Sequence, residues 1–157
     1  MLSYSGLRFF SSGSPISSHT NTAVFLDGGS VARPEEDWSL VKAACTDVAK
    51  LNWKFFDHTP KAADDPTLNE RLQNAEIVIT NKVPLTEKHF EDNPSIKFVT
   101  VPATGYNIID IEAAKKYGVV VSNVPTYSTE STAQHTVALL LELTNRVGMH
   151  NTLVQQG

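Results

Sequence analysis

Residues 96–143 decide the fold, and they read IKFVTVPATGYNIIDIEAAKKYGVVVSNVPTYSTESTAQHTVALLLEL. Two apolar, β-branched segments at 96–102 and 119–124 are each followed by a polar loop. Between them a helix can begin after Asp110 as N-cap, run to Tyr117, and end with Gly118 in the left-handed C′ position. A strand, a helix and a second strand joined by short connections predict a parallel βαβ unit.

The same alternation extends towards the amino terminus. Strands are predicted at 23–27, 53–58 and 76–81, and helices at 34–50, 67–75 and 86–92. The helix at 67–75 has the capping-box spacing Thr67-x-x-Glu70 at its start. Five strands with intervening helices predict an α/β fold with a flavodoxin-like, doubly wound parallel sheet. The strand at 119–124 is nearly all apolar, which is typical of a strand covered on both faces.

Two helices carry apolar faces that need partners. In the helix at 34–50, one face groups Val41, Ala44, Cys45 and Val48, so Cys45 is predicted to be a buried small hydrophobe. The last helix is predicted to open at the capping box Ser131-x-x-Gln134 and to run to about residue 147. It is apolar nearly all round and must be buried, yet a domain of this size leaves little to cover it. We therefore expect it to pack against something that this chain does not supply, and we expect His135, in its first turn, to be a packed core histidine.

Composition excludes several classes of protein. The net charge is -4 with no cluster of Lys and Arg, which argues against nucleic-acid binding. No apolar run approaches the roughly 20 residues of a membrane helix. The single cysteine rules out an internal disulfide, and the five histidines show no metal-ligand spacing. Residues 1–22 hold seven serines, one arginine and no acid, which resembles a mitochondrial transit peptide. The alternative is a disordered tail on an otherwise cytoplasmic protein.

Ligands of open α/β sheets bind outside the carboxyl ends of the strands, where three loops of this chain are predicted to lie. These loops are residues 81–84, 103–107 and 125–129. Gly105 allows a close approach of backbone N–H groups to a small anion such as a carboxylate, and Lys82 can add positive charge. The alternative is ordinary turn chemistry. The sequence contains no G-x-S-x-G, no P-loop and no G-x-G-x-x-G, and Gly28-Gly29 is too short a signal for a phosphate loop.

The second half of the chain closely resembles the D-isomer-specific 2-hydroxyacid dehydrogenase family, in its glycerate dehydrogenase / hydroxypyruvate reductase branch. The segments that carry the resemblance are Asn81-Lys82-Val83, ATGYN at 103–107 with Asp110, GVVVSNVP at 118–125, Tyr127-Ser128-Thr129, Ser131 and AQHT at 133–136. The resemblance extends over residues 23–157 and is densest in the second half. It implies an oxidoreductase that acts on the CH–OH group of D-2-hydroxy acids, by hydroxypyruvate or glyoxylate reduction or glycerate oxidation.

The resemblance also implies a domain organisation. Residues 23–127 would form the first part of a substrate-binding domain. Residues 128–157 would be the crossover into a Rossmann NAD-binding domain that is otherwise missing, and their helix would also contribute to a homodimer interface. The family's G-x-G-x-x-G and its catalytic Arg, Glu and His would follow beyond residue 157. We therefore expect an N-terminal portion that is inactive alone and binds NAD(H) negligibly.

The resemblance assigns site residues as well. Backbone amides of the loops at Lys82-Val83 and at Thr104-Gly105-Tyr106 would hold the carboxylate and 2-oxo group of a small 2-oxo or 2-hydroxy acid. Thr132 would lie near the nicotinamide of NAD, with NADP as the alternative cofactor. No catalytic residue is assigned within the chain.

Two other functions compete with a reductase. One is a non-catalytic, NAD-sensing binding protein of the corepressor type on the same fold, which the ATGYN and AQHT segments disfavour. The other is a stand-alone flavodoxin-like or receiver-like module. A receiver needs an acidic cluster after the first strand and a Lys after the fifth, whereas this chain has Asp27 alone and Pro125 at those places.

Overall fold

The computed structural model describes residues 21–31, 38–62 and 65–157. Residues 1–20 of the suggested transit peptide and the start of the predicted helix at 34–50 lie outside the described residues. The strands are β1 Thr22–Phe25, β2 Asn52–Phe55, β3 Ala75–Ile79, β4 Phe98–Val101 and β5 Val120–Asn123. The helices are α1 Ser39–Ala43, α2 Pro66–Leu72, α3 Glu87–Asp92, α4 Ile111–Lys116, α5 Thr129–Asn145 and α6 Val147–Gln156. A 3₁₀ turn spans Gly28–Val31, and α1 continues as a π-helical turn over Ala44–Val48.

The five strands form one parallel sheet in the order β2-β1-β3-β4-β5. This is the predicted flavodoxin-like order, with the chain reversing its winding direction between β1 and β3. β1 begins at Thr22, one residue before the predicted strand, and all four of its residues are buried. The carboxyl ends of β1, β3 and β4 therefore lie side by side, which is where a ligand site is expected in such a sheet.

The main core lies on one face of the sheet, beneath α2, α3 and α4. It consists of alternate strand residues and the inner faces of those helices, among them Val24, Leu68, Val78, Phe90 and Val99. A smaller cluster on the opposite face joins Ala23, Cys45 and Leu51 beneath the α1 segment. Each large apolar side chain buried in this way, such as a Val, Leu or Phe, contributes about 1.5–3 kcal/mol to folding.

The strand β5 departs from its prediction. Its apolar sequence predicted a strand covered on both faces, but it lies at the edge of the sheet and Val120 is 62% exposed. Val119, just before the strand, and Val121 are the residues that pack against the main core. An apolar run therefore indicated a strand correctly but not its position in the sheet.

Three predicted helix starts can be compared with the observed caps. Asp110 caps α4 as predicted, because its carboxylate accepts from the Ala113 amide at 2.9 Å, and Gly118 has a φ of +71° after the helix. The start predicted at Thr67 is wrong, since Asp65 caps α2 by accepting from the Thr67 amide. The box predicted at Ser131 is also wrong, because α5 begins at Thr129 and includes Ser131.

The two C-terminal helices are not covered by the rest of the described chain. Every residue from 129 to 157 is exposed, and Arg146 in the left-handed region (φ 49°) separates α5 from α6. The large exposed apolar residues of these helices are Val137, Leu139, Leu140, Leu141, Leu143, Val147, Met149, Leu153 and Val154. This agrees with the expectation that the chain itself does not bury its last helix.

Candidate functional site at the carboxyl edge of the sheet

Backbone hydrogen bonds hold the loops after β3 and β4 together. Leu85 lies just beyond the first loop, and its amide donates to the Ile108 carbonyl at 2.9 Å. Its carbonyl accepts from the Asp110 amide at 3.0 Å, so the two segments pair as an isolated parallel bridge. The structure therefore brings the predicted loops 81–84 and 103–107 to the same edge of the sheet.

The loop after β5 is fastened to the loop after β4. The Asn123 side-chain amide donates to the Thr104 carbonyl at 2.8 Å, and the Val124 amide donates to the Ala103 carbonyl at 3.1 Å. A groove of about 450 Å³ opens beside this junction, and its lining includes Tyr106, Lys115, Ser122 and Asn123. The conformation of the loop at 103–107 is thus fixed from both sides.

The amides at the top of this loop have no acceptor within the described chain. Thr104, Gly105 and Tyr106 are all exposed, and their N–H groups donate no hydrogen bond to any described residue. The Tyr106 side chain is 50% exposed. Open backbone N–H groups of this kind are donors available to a small anion.

The loop after β3 uses its amides differently. The Lys82 amide donates to Asp27 Oδ2 at 2.7 Å, and the Val83 amide donates to Thr80 Oγ1 at 3.1 Å. Val83 itself is fully buried, while the Lys82 side chain is exposed. The two amides that the resemblance assigns to the substrate are therefore already engaged inside the protein. What this loop offers to solvent is the Lys82 ammonium, which makes no ion pair with the described residues.

Asp27 organises this loop and was not assigned a site role from the sequence. It follows β1 and is only 2% exposed. Its two carboxylate oxygens accept from the amides of Asn81 at 2.9 Å and Lys82 at 2.7 Å, and Oδ2 also accepts from the Ser30 hydroxyl at 3.1 Å. The Asn81 side chain donates in turn to Ser30 Oγ at 3.0 Å. An acid immediately after a buried strand was the only signal of this network in the sequence.

The glycine pair after β1 is not a phosphate cradle. The Gly28 and Gly29 amides donate to the carbonyls of Phe56 at 2.9 Å and Asp57 at 3.1 Å. A Cβ on Gly28 would lie 2.0 Å from the Phe55 ring, and one on Gly29 would lie 2.8 Å from the Asp57 carbonyl oxygen. These glycines therefore serve close packing between the ends of β1 and β2, and their amides are not available to a ligand.

Thr132 is not brought to the loops by the contacts of this structure. It is exposed in α5, its amide donates to the Ser128 carbonyl at 2.8 Å, and its own carbonyl accepts from the Thr136 hydroxyl. His135, predicted to be a packed core histidine, is exposed on the same helix because nothing described covers α5, and its packing against a further partner stays a prediction. A different histidine, His89, is fully buried, and its Nδ1 accepts from the Thr86 amide at the start of α3.

Cys45 is buried, as predicted, against Ala23 and Leu51. Burial in these apolar surroundings raises the pKa of its thiol, so the reactive thiolate is disfavoured. Val41 and Val48 were predicted to share its buried face but are 36% and 73% exposed, because the helix widens into a π turn after Ala43. This cysteine has the properties of a core residue.

The described residues lack two further features. They contain no group of three or more His, Cys, Asp or Glu side chains placed to hold a metal ion. None of their helices has both the length and the apolar character needed to cross a bilayer.

Comparison with known sequences decides the family. The sequence model of the catalytic domain of D-isomer specific 2-hydroxyacid dehydrogenases matches residues 25–154, which is most of the chain. The chain belongs to this family. The match spans the strands β2 to β5, the three loops at the carboxyl edge of the sheet and α5. The resemblance inferred from the loop segments is thereby confirmed.

Proteins with related sequences carry the names of several enzymes of this kind. A hydroxypyruvate reductase of Blautia hydrogenotrophica is 41% identical over 122 residues, covering 72% of this chain and 38% of that protein. A glycerate dehydrogenase of Methylorubrum extorquens is 35% identical over 88 residues, covering 56% of this chain and 28% of that protein. The chain thus spans well under half the length of the relatives it matches.

Solved structures show the same fold. The D-lactate dehydrogenase of Aquifex aeolicus, complexed with NAD and lactic acid, superposes with a TM-score of 0.61 at 28% identity. That match covers 85% of this chain and 37% of the other. The five-stranded parallel sheet of this chain is therefore that of a D-2-hydroxyacid dehydrogenase.

Proposed function

We propose that the carboxyl edge of this sheet holds the carboxylate and 2-oxo group of a small 2-oxo acid. The observation that carries the proposal is the run of three open backbone amides at Thr104, Gly105 and Tyr106, on a loop hydrogen-bonded to the segment that follows the exposed Lys82. A carboxylate accepts charge-assisted hydrogen bonds from such groups, and these are stronger than bonds between neutral partners. A 2-oxo acid presents both a carboxylate and a carbonyl oxygen, so it can use several of the donors at once.

The two loops contribute different groups in this proposal. The amides of Lys82 and Val83 would have to release Asp27 and Thr80 before they could reach a ligand. We therefore assign the backbone donors to residues 104–106 and the positive charge to the Lys82 ammonium. Val83 supports the loop as a buried core residue rather than as a donor.

In the complete protein we propose the reduction of a 2-oxo acid to a D-2-hydroxy acid with NAD(P)H. The names of the relatives favour hydroxypyruvate and glyoxylate as the substrate class. A bound nicotinamide would supply the hydride that is added to C2 of the acid. The residues described above would bind the acid and fix its orientation, which is the part of the reaction that depends on proximity.

The described residues do not by themselves fit a whole dinucleotide. The amides of the glycine pair after β1 are engaged with Phe56 and Asp57, so they cannot cradle a pyrophosphate. Asp27 is the carboxylate in contact with the loop at 81–83, and both of its oxygens are engaged by hydrogen bonds within the protein. We accordingly assign substrate binding, and not hydride or proton transfer, to this part of the protein. Thr132 is retained as the proposed neighbour of the nicotinamide.

The experiment is a titration of the ¹⁵N-labelled chain with glyoxylate, followed by amide chemical shifts. We expect saturable shifts at Thr104, Gly105 and Tyr106. Substitution of Lys82 by Met should weaken glyoxylate binding at least about tenfold, because a hydrogen bond to a charged group contributes about 1.5–3 kcal/mol. Lys88→Met is the matched control, since Lys88 is also exposed but lies on α3. Shifts that spread over the surface without saturation, or equal effects of the two variants, would contradict the proposal.

A further inference from the structure

The Asp27 carboxylate is buried without a cationic partner among the described residues. It is 2% exposed, and its partners are two amides of a loop 54 and 55 residues away together with the Ser30 hydroxyl. Burial of a carboxylate is costly unless hydrogen bonds replace its water. A buried carboxylate such as that of Asp27 is most useful where the protein depends on the orientation of the groups that donate to it.

The two amides belong to consecutive residues, and this has a geometric consequence. Because Asn81 and Lys82 both donate to one carboxylate, the peptide between them is held in one orientation by two hydrogen bonds. The Asn81 side chain is held by the same network through Ser30 Oγ at 3.0 Å. With its amide directed at Asp27, Lys82 keeps its side chain in solvent at the edge of the sheet.

We infer that Asp27 is a positioning residue for substrate binding: it holds the Asn81–Lys82 peptide so that the Lys82 ammonium and the amides of residues 104–106 face one anion. This inference depends on the proposed function for its ligand. Asp27 does not touch the substrate, and its effect is transmitted through the Lys82 amide.

The test combines amide hydrogen exchange with the glyoxylate titration in the full 157-residue chain. Asp27→Asn retains the size of the side chain but replaces one acceptor oxygen with an NH₂ group, which cannot accept from an amide. Exchange at Asn81 and Lys82 should accelerate at least about tenfold. The Thr80 amide, which donates to the Thr100 carbonyl in the sheet, is the internal reference and should change less than about twofold.

The glyoxylate titration distinguishes a positioning role of Asp27 from a merely structural one. Glyoxylate affinity should fall about tenfold in Asp27→Asn. It should be unchanged in Asp92→Asn, which removes the same charge from an exposed residue at the end of α3. If Asp27→Asn does not fold, Ser30→Ala removes one hydrogen bond from each of Asp27 and Asn81 and should give a smaller change at the same two amides.

The outcomes distinguish the two proposals. Unchanged exchange at Asn81 and Lys82 overturns the inference, and so does accelerated exchange with unchanged glyoxylate affinity. If the unsubstituted chain shows no glyoxylate shifts while Asp27→Asn releases both amides, the proposed function fails and the anchoring of the loop by Asp27 stands. Accelerated exchange together with weakened binding supports both.

Discussion

At Cys45, burial determines what the side chain can do. Its neighbours Ala23 and Leu51 are apolar, and their effect is to raise the pKa of the thiol above its ordinary value of about 8.5. At neutral pH the thiol is protonated in the folded and unfolded states alike. The titration of this thiol therefore affects stability only at alkaline pH, while its packing contributes at every pH.

The sign of the effect follows from proton linkage. As pH rises above the ordinary thiol pKa, the unfolded chain loses the Cys45 proton while the folded chain keeps it, so the unfolded state is favoured. We expect the free energy of unfolding to fall more steeply between pH 8 and 10 in the unsubstituted chain than in Cys45→Ala. Urea denaturation at several pH values measures both slopes. Parallel slopes would show that the thiol titrates alike in the two states.

Residues that act over long sequence separations could not be found from the sequence. Asp110 was identified as a cap because its partner, Ala113, is three residues away. Asp27 contacts amides 54 and 55 residues away, and no local pattern encodes that pairing. The open amides at residues 104–106 were anticipated because Gly105 follows a strand at the ligand-binding edge. The engagement of the Lys82 and Val83 amides was not.

At the scale of elements, the order of strands and helices was predictable, while their exposure was less so. Period-two and period-3.6 patterns placed the five strands and the helices α1 to α5 within a few residues, but α6 was not predicted. The edge position of β5 was missed, since an apolar run is the same at a sheet edge as at its centre. The start of α2 was missed because Pro66 at its first position leaves Asp65, rather than Thr67, as the cap.

Helices α5 and α6 expose apolar surface that no other part of the described chain covers. Their exposed apolar residues, Leu140 at 58% and Leu143 at 78% among them, form a surface of a kind that marks an interaction site or causes aggregation. We expect the chain of 157 residues to self-associate, whereas a chain ending at Tyr127 should be monomeric and still folded. The main core contains no residue of α5 or α6, so the shorter chain keeps its core.

Sedimentation velocity at several concentrations, with circular dichroism as a check on folding, tests this expectation. A monomeric longer chain would contradict it. So would a shorter chain that associates to the same extent, since the association would then arise from the sheet domain. The exposed Val120 on the edge strand β5 is the surface to examine in that case.

At the scale of the whole molecule, the parallel sheet brings distant segments to one edge. Asp27 after β1, Lys82 after β3 and Gly105 after β4 are far apart in sequence, and the order β1-β3-β4 makes their loops neighbours. The three loops meet at this edge because of the direction in which the chain winds through the sheet, and not because of any one sequence motif. Membership of the 2-hydroxyacid dehydrogenase family is consistent with a 2-oxo acid bound there.

The central claim is that this edge holds the carboxylate of a 2-oxo acid, and a crystal structure of the chain with glyoxylate tests it most directly. We predict the glyoxylate carboxylate within hydrogen-bonding distance of the amides of Thr104, Gly105 and Tyr106, with the Lys82 ammonium beside it and the Lys82 amide still bonded to Asp27. Glyoxylate bound away from these loops, or a loop at 103–107 whose amides have turned to protein acceptors, would contradict the claim.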